Sequence, residues 1–136
     1  QMKIARLPLL VLGLLAAGAM AADGPGQLTE VPEAAPPPYE PQLLRLSEIM
    51  GSLAWLREVC GDNDSDQWRG GMRRLMEAEA QTEARRERLA GAYNRGFRSY
   101  EMLHRTCTPN TRAIIERFLE EGGKLAGDIT GRFGGG

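Results

Sequence analysis

Cys60 and Cys107, the only two cysteines, and His104, the only histidine, are the side chains of this sequence best suited to chemistry. A thiol pair can form a disulfide, exchange electrons or hold a soft metal. Neither Cys-x-x-Cys nor Cys-x-x-Cys-His is present, which argues against a thioredoxin-like redox centre and against covalently attached haem. Because His104 stands close before Cys107, the trio Cys60, His104 and Cys107 offers three ligands for zinc or copper. No fourth ligand is evident, so a structural Cys60–Cys107 disulfide is the expected state, with metal binding, redox exchange and intermolecular pairing as alternatives.

Other catalytic arrangements are weaker. Ser47, Ser52 and Ser99 all fall inside helical patterns, away from any exposed turn that would present a nucleophile. Gly70-Gly71 and the terminal glycines lack the framing of a phosphate-binding loop. Glu48, Glu58, Glu120 and Glu121 are acids of the type that pair across a cleft in glycan hydrolysis. Scattered acids on amphipathic helices are usually solvated faces. No cofactor is expected.

The elements that position these groups are helices. From Gln42 to Val59, Leu43, Leu46, Ile49, Met50, Leu53 and Leu56 recur at three- and four-residue steps. Trp55 and Val59 widen the stripe enough to meet two neighbours. Gly61-Asp62-Asn63-Asp64 ends this helix with turn chemistry. Asp64 or Ser65 caps a second helix to about Ala80, with Trp68, Met72, Leu75 and Met76 on its apolar side. Thr82 caps a third, whose buried face is Leu89, Tyr93, Gly96, Phe97, Tyr100 and Leu103. Thr108-Pro109 opens a fourth, because proline at the first helical position gives up an N–H that has no partner anyway. No long run alternates with period two. The pattern predicts an all-α, up-down four-helix bundle.

Gly91 and Gly96 inside the third helix each cost about 1 kcal/mol relative to alanine. Close packing of Gly96 against Gly51 would account for one of them. Asn94 and Arg98 would then pair with Glu48 or Ser52 across the seam. Alternatively the same residues build a polar pocket or docking face, and Arg98 and Arg105, seven residues apart, form one arginine stripe. Asn94, Arg98, Arg105 and Trp55 are the candidate binding surface.

The rest of the chain sets the compartment. Lys3 and Arg6 precede the apolar run Leu7–Ala17, and Ala19-Met20-Ala21 or Ala17-Gly18-Ala19 offers a cleavage site: residues 1–21 read as a signal peptide. The run is too short for a comfortable membrane span, so no stable span is expected after cleavage. Residues 22–41 carry Pro32, Pro36, Pro37, Pro38 and Pro41 and read as a disordered, proline-rich linker. The helical domain is then 42–133, with 134–136 a flexible glycine tail. Losing Lys3 and Arg6 leaves 15 bases from 17 against the same 18 acids, a net charge of −3. A weakly acidic domain is a poor nucleic-acid binder, because that affinity comes from neutralising phosphates.

Export places the thiols where disulfides persist. In an up-down-up-down bundle the end of helix one and the start of helix four share a pole. Cys60 and Cys107 therefore meet there without rearrangement, joining the end of helix 1 to the start of helix 4.

Leu44-Arg45-Leu46-Ser47-Glu48-Ile49-Met50-Gly51, Trp55-Leu56-Arg57, Cys60, Trp68-Arg69, Asn94-Arg95-Gly96-Phe97-Arg98, Cys107-Thr108 and Glu121-Gly122 together resemble an uncharacterised family. Its members are small exported alphaproteobacterial proteins with two well-separated cysteines, a domain of unknown function. The likeness spans about residues 39–133 and implies a Gram-negative periplasmic setting and a Cys60–Cys107 disulfide. It carries no catalytic residues onto this chain.

By elimination, the sequence reads as a non-enzymatic periplasmic binding module, an accessory or regulator of a cell-envelope protein. A small-molecule or lipid carrier is the alternative, which would need a closed cavity lined by Trp55, Met72 and Phe97. An envelope glycan-acting enzyme is third and would need titratable groups converging on such a cavity.

Overall fold

Four helices follow one another in the computed structural model: α1 Glu40–Val59, α2 Ser65–Glu79, α3 Glu83–Leu103 and α4 Pro109–Phe133. The structure describes Gly18 and residues 35–134, and among these there is no strand. The expected signal peptide, apart from Gly18, most of the expected linker, and Gly135-Gly136 lie outside the described residues.

α1 starts two residues before the expected Gln42, with Pro41 inside its first turn. Proline is tolerated there because the first helical N–H groups have no intrahelical partner. The end of the proline-rich stretch therefore belongs to the domain. Tyr39 Oη donates to Glu79 Oε2 at 2.9 Å, and Arg85 Nη2 donates to buried Glu40 Oε2 at 2.8 Å. The other starts fall where the caps predict. Thr82 Oγ1 accepts from Arg85 N, and Thr108 and Thr111 satisfy each other's backbone N–H groups in a capping box.

Alternate helices reverse direction. At one pole Tyr39 before α1 meets Glu79 at the end of α2 and the Phe133 ring at the end of α4, centroids 5.4 Å apart. At the other, Cys60 after α1 is bonded to Cys107 before α4. This is the expected topology, but its cross-section is not square. α1 packs on all three other helices rather than two, and most extensively on α3, the helix parallel to it.

Glycine explains that diagonal contact. A Cβ on Gly51 would collide with the Tyr93 carbonyl oxygen, and one on Gly96 with the Glu48 carbonyl oxygen. The two backbones thus touch at a seam that any side chain would force apart. The seam leaves no room for a long side chain, and the expected pairing of Asn94 and Arg98 with Glu48 or Ser52 does not occur. Asn94 and Arg98 are exposed, Glu48 pairs with Arg45 at 3.3 Å, and Ser52 Oγ donates to Glu48 O at 2.9 Å.

With neighbours on every side, α1 buries small polar residues as well as apolar ones. Ser47 is fully buried, its hydroxyl donating to Leu43 O at 2.8 Å within the helix. Ile49, Leu53 and Leu56 join Ile114, Ile115 and Phe118 of α4 in one core. Leu43, Met72, Ala80 and Leu89 form a second, nearer the opposite pole.

Two carboxylates tie α1 electrostatically to the start of α2 and to α4. Arg57 Nε donates to Asp64 Oδ2 at 2.6 Å, and Arg45 grips Glu121 through two bonds of 2.8 and 3.0 Å. These guanidiniums hold both carboxyls below their ordinary values of 3.8 and 4.5. The unfolded chain consequently takes up protons at higher pH than the folded one. The stabilisation is complete above the ordinary carboxylate range and is lost as pH falls through it. Thermal melts from pH 7 to 2 should show the midpoint dropping below about pH 4, with Asp64→Asn removing part of that drop. A midpoint independent of pH over this range would show these pairs contribute nothing.

Candidate functional site

The disulfide pole gathers three of the side chains singled out above. The Cys60 and Cys107 Cα atoms lie 4.8 Å apart and close a loop of 47 residues. Cys107 is exposed and Cys60 half-buried. With both sulfurs consumed in the bond and no free cysteine, the alternative Cys60–His104–Cys107 metal centre has no thiolates to offer. His104 instead ends α3, its ring 5.4 Å from Tyr100 and its carbonyl accepting from Trp55 Nε1 at 2.8 Å.

Arg112 of α4 reinforces the crosslink. Its Nη1 donates to both Asp62 carboxylate oxygens at 2.9 Å, and its Nη2 to Cys60 O at 2.9 Å. That carbonyl is presented by the tight α1–α2 turn, where Gly61 takes φ +74° and Asn63 φ 54°. Glycine and asparagine are the residues that tolerate this left-handed geometry.

Above this rigid base, Met102 and Leu103 are 73% and 77% exposed. Leu103 was expected on the buried face of α3. Leu103 is the last residue of α3, and neither core cluster reaches it. Trp55 of α1 packs edge-on against Phe97, centroids 5.7 Å apart, and turns its N–H to His104. Trp55, Glu101, Met102 and Arg105 line a groove of about 520 Å³.

Arg105 lies beyond the end of α3, so the two-turn spacing that would align it with Arg98 does not hold. Arg98 is exposed on α3, without an ion-pair partner among the described residues. Asn94 belongs elsewhere, to a second groove between α2 and α3 with Arg69, Arg73, Arg86 and Tyr93. The four candidate residues are thus scattered: Trp55 and Arg105 at one groove, Asn94 at the other, and Arg98 on the exposed flank of α3. The α2 arginines were missed as a group, although Arg69-x-x-x-Arg73 beside Met72-x-x-x-Met76 carries the signal: four-residue steps put like side chains on one face. Trp55, Met72 and Phe97 do not share a cavity, because Trp55 packs edge-on against Phe97 while Met72 packs with Leu43 and Leu89.

A family model for a protein of unknown function, DUF2385, matches residues 38–133. The chain belongs to that family. The match begins beside Tyr39 and ends at Phe133, the two rings that close the pole opposite the disulfide. No curated protein and no solved structure matches the chain. A disulfide within a DUF2385 domain fits an oxidising compartment. No helix among the described residues is long and apolar enough to cross a membrane.

Proposed function

We propose that this DUF2385 protein is exported to the periplasm and works there without catalysis, as an accessory or regulator that binds a cell-envelope protein through its disulfide pole. The observation that carries this reading is the exposure of Met102 and Leu103, adjacent on the last turn of α3. Large apolar side chains grouped on a rigid surface are a common mark of an interaction site. Arg105 at the groove and Arg98 on the flank of α3 add positive charge for acidic groups on the partner. Trp55, anchored from below by its hydrogen bond, gives the groove a fixed floor. The crosslink holds the α3–α4 connection in place, so little ordering accompanies binding.

A photocrosslinker replacing Leu103 in cells should trap one defined envelope protein, and Arg105→Glu in the same chain should abolish that product. The same crosslinker at exposed Glu116 on α4 should trap nothing. Equal labelling from both positions, or a product insensitive to Arg105→Glu, would remove the pole as the binding surface. N-terminal sequencing of the mature chain should find cleavage after Ala19 or Ala21; an intact N-terminus in the cytoplasm would refute export.

A further inference from the structure

The groove between α2 and α3 has a volume of about 540 Å³, within the range of small-molecule sites. Arg69 and Arg73 of α2 and Arg86 of α3 line its walls, over Met72, Met76 and Tyr93. The arginines are exposed and loosely held. Arg69 reaches Glu58 at 3.3 Å and Asp66 at 3.8 Å, and Arg86 reaches Glu83 at 3.8 Å. Arg73 has no ion-pair partner among the described residues. Exposed pairs of this kind contribute little, so the guanidiniums can leave them for a better anion.

Below them, the Tyr93 hydroxyl oxygen is buried with no hydrogen-bond partner. Arg69 lies near it but outside hydrogen-bonding geometry. A buried hydroxyl left unpaired is unfavourable, and a ligand that accepts from it relieves that cost. Burial pushes the Tyr93 pKa upward, with Arg69 and Arg73 opposing, so the group is a neutral donor at neutral pH.

We propose that this groove binds a single-chain amphiphile with a phosphate-monoester head, the head held by Arg69, Arg73 and the Tyr93 hydroxyl, the hydrocarbon lying on Met72 and Met76. The charge selects the head group. Three arginines and the rim carboxylate Glu77 leave two positive charges. A phosphate monoester carries about −1.5 to −2 and offsets them, whereas a carboxylate offsets only one. Guanidinium forks match phosphate oxygens in pairs. Methionine's flexible thioether adapts to an alkyl chain.

Calorimetric titration of the full chain with dodecyl phosphate, kept below its micellar concentration, tests this. One equivalent should bind at least about tenfold more tightly than either inorganic phosphate or dodecyl maltoside. Tyr93→Phe and Arg73→Gln should each weaken binding about five- to tenfold while circular dichroism and melting stay unchanged. Neither substitution should alter crosslinking at Leu103, which separates this site from the pole. Equal affinity for dodecyl maltoside would show that the head is not read, and equal affinity for inorganic phosphate that the chain is not. Tighter binding of hexaglutamate would assign the groove to an acidic peptide, and full affinity in Arg73→Gln would exclude the groove altogether. Each of these four results overturns the proposal.

Discussion

Gly96→Ala is expected to destabilise the domain by about 3 kcal/mol, at the upper end of what overpacking usually costs. The new methyl would meet the Glu48 carbonyl, with its carbon at 2.9 Å and Ser52 Oγ at 2.7 Å. Backbone atoms cannot swing aside as a side-chain tip can, so α1 and α3 must separate. Their separation would loosen the most extensive contact of the fold. Alanine's better helix propensity returns about 1 kcal/mol, too little to offset this. Gly51→Ala should behave alike, because its methyl would strike the Tyr93 carbonyl from the other side of the same seam. Gly91→Ala supplies the control. Its methyl would meet only Arg95 Nη1, at 3.5 Å, so propensity should prevail and the variant should be as stable as the parent or up to about 1 kcal/mol more so. Urea unfolding of the three variants decides the matter. Equal stability of Gly96→Ala and Gly91→Ala would mean that the seam yields without cost.

Gly91 and Gly96 also mark where sequence reasoning stops. Both interrupt the same helix with the same loss of propensity, and periodicity alone only hints that Gly96 is the one facing α1. The four helices, the threonine caps of α3 and α4 and the pole shared by Cys60 and Cys107 were legible, because each rests on local chemistry or on alternating helix direction. The expected cap of α2 was not, since the Asp64 side chain is held by Arg57 and makes no cap bond. How α1 and α3 approach was legible only as a pair of glycines. Their collapse onto the diagonal then excluded Asn94 and Arg98 from the seam and turned them outward. Leu103 shows the limit of periodicity at a helix end. Its spacing matches the buried stripe, yet the helix ends at that residue and neither core cluster extends to it. Arg105 fails for a related reason: a stripe projected along a helix has no meaning past the residue where the helix stops. The candidate binding surfaces were therefore legible as residue types and not as groupings, since α2 and α3 together build the arginine groove and no single helix contains it.

Replacing both cysteines by serine should cost on the order of 4 kcal/mol, the loop-closure entropy restored to the unfolded chain when a 47-residue link is cut. For a domain of this length that corresponds to a fall in melting temperature of roughly 16–32 °C. The double replacement avoids leaving a lone thiol to pair between molecules. Native topology should survive at room temperature. Arg112 still clasps Asp62 and the carbonyl of residue 60, Trp55 still holds the His104 carbonyl, and the Ile49–Phe118 core does not depend on the sulfurs. Helix content by circular dichroism should therefore match the parent below the transition, while the transition itself moves. The parent should show no titratable thiol when denatured without reductant. Cys107 is exposed, so reductant should reach the bond in the folded state and reproduce the shift in the parent while leaving the serine variant unaffected. A serine variant melting within a few degrees of the parent would show that the unfolded chain gains nothing from release of the link. The pole would then owe its order to Arg112 and the Thr108–Thr111 cap rather than to the crosslink.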